Sequence, residues 1–179
     1  MRTYNYIIKT MNENFTIVSG TNRTGSRTEK IARHYQQVLL SKGITPQFIS
    51  FVDWKYIHKT PEFVQLENDI LIPTHKFIFI SPEYNGSIPG VLKLMFDISD
   101  YKKVWSGKKA LLTGVATGRA GNLRGLEHLT GILHYLKVVV HPNKLPISLV
   151  DKLLDDAGNI QDEATVKAIE TQVEEFIQF

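Results

Sequence analysis

Phe77-Ile78-Phe79-Ile80-Ser81, running straight into Pro82-Glu83-Tyr84-Asn85-Gly86-Ser87-Ile88-Pro89-Gly90, is the stretch on which the fold of this chain turns. The first five residues form an apolar run of strand type, suited to a strand buried on both faces. A polar, Gly-containing turn comes next, and then a helix with Pro89 in its first turn, where a missing N–H costs little. A strand that opens in this way gathers backbone N–H groups at one spot and suits a flat, hydrogen-bonding ligand at the end of a sheet.

The same grammar occurs upstream. Phe15 to Ser19 reads as a second buried strand, and Ser19 to Thr28 as its turn. From Thr28 to Lys42, Ile31, Tyr35, Val38 and Leu39 make one stripe of a helix, closed by Gly43. Strands are further expected at Ile44–Phe51, Lys109–Ala116 and Val138–Val140. Helices are expected at Pro89–Ile98, along Leu126, Leu129, Leu133 and Leu136, and from Glu163 with Val166, Ile169, Val173 and Phe176 inward. Pro61–Leu71 carries a weaker helical pattern. Residues 1–14 form an N-terminal extension with no assigned element, although Tyr4 to Ile8 is apolar enough to pack. Residues 15–179 then make a single α/β domain. Strands alternating with helices imply a doubly wound parallel sheet, in the flavodoxin-like order 2-1-3-4-5 with helices on both faces. Its crevice opens at the carboxyl ends of the first and third strands, where both turns lie.

The first turn, Ser19-Gly20-Thr21-Asn22-Arg23-Thr24-Gly25-Ser26-Arg27-Thr28, combines hydroxyls, glycines and a helix start with the planar donor fork of Arg23. A phosphate there meets free N–H groups and the positive end of the helix dipole. Ser26, with Glu29 three residues on, also fits a capping box that any helix could use, and both readings stand. Gly20 and Gly25 have Walker spacing, but Ser26 and Arg27 stand where Lys and Ser/Thr are required, so NTP hydrolysis is poorly supported. No G-x-G-x-x-G follows the strand. A third loop, Ala116 to Asn122, reaches the same edge, and its Arg119 either stabilises negative charge or is simply solvated.

Composition narrows the classes. The chain has 179 residues, 42% of them hydrophobic, a formal charge of +3 and no cysteine. Disulfides and cysteine metal sites are thereby excluded, and the six histidines form no metal motif. Scattered basic residues make no nucleic-acid stripe, and no apolar run approaches the roughly 20 residues of a membrane span. A cytoplasmic protein without nucleic-acid or membrane partners is the expectation.

At these three loops the chain resembles the NADPH-dependent FMN reductase family, flavodoxin-fold enzymes that include quinone and azo-dye reductases. The resemblance covers roughly residues 15–147. The family's G-S-x-R-x-G-S-x-N appears here from Gly20 to Thr28, with Thr21 and Thr28 substituted. Its P-E-Y-N-x-S-x-P-G-x-L-K is matched from Pro82 through Lys93 without a break. The family's next segment, N-A-x-D-W, survives only at Asp97, and S-G-G-x-x-G only loosely at Thr117 to Gly121. The resemblance implies bound FMN, reduced by NADPH or NADH, with electrons passed to a quinone, flavin or similar small-molecule acceptor. It implies Thr21, Arg23, Ser26 and Thr28 on the phosphate, with Ser19 a further cofactor-binding residue. Pro82, Glu83, Tyr84, Asn85, Gly86 and Ser87 would line the isoalloxazine, and Thr117, Gly118, Arg119 and Gly121 would lie against the ring or its pyrimidine edge. The chemistry would reside at the flavin N5, with no catalytic side chain and no metal. A homodimer or homotetramer is expected. The alternative is a flavodoxin-like electron carrier without turnover. Such carriers are usually strongly acidic, and a charge of +3 argues modestly for the enzyme.

Overall fold

The computed structural model describes residues 13–179, so the expectations for Tyr4 to Ile8 lie outside the described residues. A parallel sheet forms the middle layer, in the order β2-β1-β3-β4-β5. Its strands are β1 (Phe15–Ser19), β2 (Gln47–Ser50), β3 (Lys76–Pro82), β4 (Lys109–Val115) and β5 (Val139–Val140), with β6 (Leu145–Ile147) also on β4. The expected order is therefore observed, with one strand added.

Period-two alternation divides β3 between two cores. Phe77 and Phe79 face a cluster with Leu92, Met95, Phe96 and Trp105, while Ile78 and Ile80 face Ile31, Tyr35, Leu39, Ile169 and Phe176. These clusters seat α3 (Gly90–Ile98) and α5 (Leu123–Tyr135) on one face, and α1 (Arg27–Ser41) and α6 (Glu163–Gln178) on the other. Helix α1 keeps its predicted stripe buried. It closes with the Ile44 N–H donating to Leu39 O and the Gly43 N–H to Leu40 O, both at 3.0 Å, the paired bonds of a Schellman end.

Three segments differ from expectation by more than a residue, each for a local reason. β2 begins at Gln47 rather than Ile44, after Pro46, which has no N–H to give a ladder. Pro61–Leu71 divides into α2 (Pro61–Leu66) and a π-helical turn over Glu67–Leu71, where the Ile72 N–H reaches Glu67 O at 2.8 Å. The fifth strand is short, and an unexpected sixth follows it. β5 pairs with Lys109 and Ala110, the chain leaves the ladder at Pro142, and β6 rejoins β4 at Thr113 to Val115. A one-turn α4 (Tyr101–Val104) and a 3₁₀ turn at Val150–Lys152 complete the element list. Among the described residues, no helix is long and apolar enough to cross a membrane.

Candidate functional site

The carboxyl ends of β1, β3 and β4 lie side by side in register, so the three loops leave the sheet along one edge. Between them is a cavity of about 510 Å³, within the range usual for small-ligand pockets.

The first loop forms one wall. Gly20 donates to Ile80 O at 2.8 Å, and an added Cβ there would stand 3.0 Å from that same oxygen. This close approach binds the loop to β3. Thr21, 1% exposed, has its hydroxyl 2.6 Å from the Tyr84 phenol oxygen. Beyond it, Ser26 caps α1, its Oγ accepting the Glu29 N–H at 3.1 Å. The capping reading is thus satisfied, while Ser26 still faces the cavity with Arg23 and Thr28. Among the described residues, the amides of Thr24, Gly25, Arg27 and Thr28 donate to no protein acceptor. Free amides at the start of a 15-residue helix, with a cationic fork beside them, are the donor set a phosphate requires.

The second loop makes the opposite wall through Pro82, Glu83 and Tyr84. Tyr84 and Ser87 exchange two backbone hydrogen bonds, at 2.9 and 3.1 Å. They close a turn whose central Asn85 and Gly86 both have positive φ, 52° and 78°. Asn-Gly is the pair that adopts this type I′ geometry most readily. The tip carries Asn85 and Gly86 away from the cavity wall, and the Ser87 hydroxyl lies 2.8 Å from His128 Nδ1 on α5.

The third loop brings Thr117, Gly118 and Arg119 to the cavity. Gly121 sits beneath it instead, so close to Pro146 that a Cβ would be 2.6 Å from the Pro146 carbonyl carbon. Gly114 is equally constrained, since a Cβ there would overlap the Gly121 carbonyl oxygen. Ser19 ends β1 below the cavity, fully buried, with no partner for its hydroxyl among the described residues. Of the residues singled out from the sequence, Thr21, Arg23, Ser26, Thr28, Pro82, Glu83, Tyr84, Thr117, Gly118 and Arg119 therefore line the cavity. Ser19, Asn85, Gly86, Ser87 and Gly121 do not line it.

Val150 and Asn122 are among the contributors not singled out from the sequence. Val150 lines the cavity from the 3₁₀ turn, which is tied back by its N–H to Ala116 O at 3.1 Å and by the Asp151–Arg27 ion pair. No sequence pattern marks that turn. Asn122, completely buried at φ 67°, donates to Ser81 O at 2.9 Å and accepts the Gly125 N–H at 3.1 Å. It both starts α5 and fastens the third loop to β3. Its signal was legible, an N-cap residue type directly before a leucine stripe.

The family model for NADPH-dependent FMN reductases matches residues 14–151. A 2-hydroxy-1,4-benzoquinone reductase of a Burkholderia species is 29% identical over 120 residues, covering 65% of this chain and 66% of that protein. An NAD(P)H-dependent FMN reductase of Pseudomonas aeruginosa is 34% identical over 102 residues, covering 54% of each. These matches span less than two thirds of either relative's length. Among solved structures, the flavoenzyme NAD(P)H:(acceptor) oxidoreductase FerB of Paracoccus denitrificans superposes with a TM-score of 0.77. It is 21% identical, over 93% of this chain and 96% of that one. At that identity the likeness establishes the shared fold.

Proposed function

The chain belongs to the NADPH-dependent FMN reductase family, and from that premise we propose that it binds FMN at the strand-end cavity and works as an NAD(P)H-dependent oxidoreductase toward a small quinone, flavin or similar acceptor. The observation that carries this reading is the convergence of the free α1 amides, Arg23 and the Pro82–Tyr84 wall on one cavity. The flavin phosphate goes to the amides of Thr24, Gly25, Arg27 and Thr28 and to Arg23, and Ser26 and Thr28 add hydroxyls. Its ring goes between the Pro82–Tyr84 wall and the Thr117–Arg119 loop.

The hydride chemistry, from nicotinamide to ring and from ring to acceptor, is what bound FMN supplies. The chain's own part is to bind, orient and stabilise. On the ring side the Glu83 and Tyr84 amides are already engaged, with Val115 O at 3.3 Å and Ser87 O at 2.9 Å, so the positive charge there comes from Arg119, which lines the cavity. A positive charge in that place would favour an anionic reduced ring without any side chain having to exchange a proton. A homodimer or homotetramer is part of the same proposal. The groove between α3 and α5, floored by the buried Ile88 and Phe96 and edged by Ile132 and a Tyr135 that is 87% exposed, supports it.

Anaerobic rapid mixing of the FMN-loaded protein with NADPH, and separately with NADH, tests the reductase reading. The expected result is loss of the oxidised-flavin absorbance at a rate that rises with donor concentration. A bound flavin that neither donor bleaches would contradict turnover and favour an electron carrier.

A further inference from the structure

Tyr84 lines the cavity from the second loop and reaches across to the first. Its phenol oxygen is 2.6 Å from the Thr21 hydroxyl, across 63 residues of sequence. The Arg23 guanidinium carbon lies 4.3 Å from the centre of its ring. The Thr21 hydroxyl in turn accepts the Arg23 backbone N–H at 3.3 Å. Thr21, Arg23 and Tyr84 therefore close a small loop of contacts from the end of β1 to the end of β3.

The chemistry of that loop is specific. Arg27 and Arg33 are paired with Asp151 and Glu29, whereas the Arg23 side chain makes no ion pair or hydrogen bond among the described residues and has the Tyr84 ring as its partner. A cation–π contact uses the face of the guanidinium and leaves its in-plane N–H donors free. Tyr84 is itself fixed, by its two backbone bonds to Ser87 and by Thr21. An exposed arginine, ordinarily rich in rotamers, is thus held beside the free α1 amides before any anion arrives. Less freedom is then lost when the anion binds.

We propose that Tyr84 is a positioning residue through which this site selects a phosphorylated flavin over an unphosphorylated one, by holding Arg23 with its donor edge open. The inference rests on the proposed FMN site and concerns only how the phosphate end is discriminated. The ring is the active part, and the phenol hydrogen bond to Thr21 orients it.

FMN and riboflavin differ only in the phosphate, so the ratio of their affinities isolates the effect. Wild-type protein, Tyr84→Leu, Tyr84→Phe, Arg23→Ala and the Arg23→Ala/Tyr84→Leu double variant are titrated with each flavin, following flavin fluorescence. Tyr84→Leu is expected to reduce the FMN-to-riboflavin affinity ratio by about two- to fivefold, the factor a cation–π contact at an exposed site gives. Tyr84→Phe, which keeps the ring, retains most of the ratio. In the Arg23→Ala background, Tyr84→Leu lowers the ratio no further, the signature of coupled residues. Arg23→Lys, at an exposed position where folding is not at stake, keeps the charge but not the flat face and lowers the ratio as well. An unchanged ratio in Tyr84→Leu or Arg23→Lys would overturn the proposal, as would equal losses for both flavins or a loss in Tyr84→Phe as large as in Tyr84→Leu. A wild-type protein that takes up neither flavin would overturn the FMN reading itself, and the inference with it.

Discussion

Single side chains at the cavity serve two ends at once. Ser26 caps α1 and also faces the cavity, so two readings that the sequence left in competition are compatible. A cap uses one amide, that of Glu29, and leaves the earlier ones for a ligand. Asn122 holds a left-handed backbone that costs a non-glycine residue energy, and its amide side chain offsets the cost by satisfying both Ser81 O and the Gly125 N–H. His34 illustrates the opposite case. Burial lowers its pKa below the usual 6.5, against the opposing pull of Glu170, and its Nε2 is buried without a partner among the described residues. The unfolded chain therefore takes up this proton at a higher pH than the folded one. Its share of the stability is full above the unfolded value and is lost as pH falls below 6.5 toward the lowered folded value. Urea unfolding at about pH 7.5 and about pH 5.5 should show a larger loss for wild type than for His34→Gln. Equal losses would remove His34 as the cause.

Among the elements, the tie between α6 and the sheet is the most concentrated polar contact in the core. Gln172, fully buried, accepts from the Tyr35 hydroxyl at 2.5 Å and from the Thr113 hydroxyl at 3.1 Å. Its amide donates to Leu112 O at 3.2 Å and to Asn143 O at 2.7 Å. Burial raises the Tyr35 pKa far above its ordinary value, so the phenol stays protonated and available to donate. Gln172→Leu keeps the volume but strands these partners, and is expected to cost about 1–3 kcal/mol in urea unfolding. Unchanged stability would mean that the network contributes nothing net. The contact also bears on what could be read from the chain. In α6 the sequence showed the stripe of Ile169, Val173 and Phe176, but a glutamine between them reads as surface. Only the fold reveals that it holds the chain between β5 and β6 through Asn143. β6 itself was hidden because Leu145-Pro146-Ile147 is short and contains a proline, acceptable only on an edge strand. α4 was hidden because one turn has no periodicity to display. The long buried strands and stripes were legible because burial on both faces, or along one face, leaves a pattern that no loop imitates.

Across the molecule, the sheet order followed from the alternation of strands and helices, and with it the edge on which the loops gather. That edge is where the cavity lies. Which loop residues face the cavity was less legible, because a hairpin tip such as Asn85-Gly86 and a close-packed glycine such as Gly121 look in sequence like their ligand-facing neighbours. Their direction is decided by contacts with β6 and α5 far along the chain. The turn carrying Val150 was invisible for the same reason. Whether strand ends, free amides and Arg23 together cradle FMN is decided by titrating flavin-free protein with FMN while following the flavin absorbance and fluorescence. Saturable uptake of one FMN per chain, weakened by added inorganic phosphate, is expected. Fluorescence and absorbance that remain those of free FMN at every protein concentration would contradict the cradle.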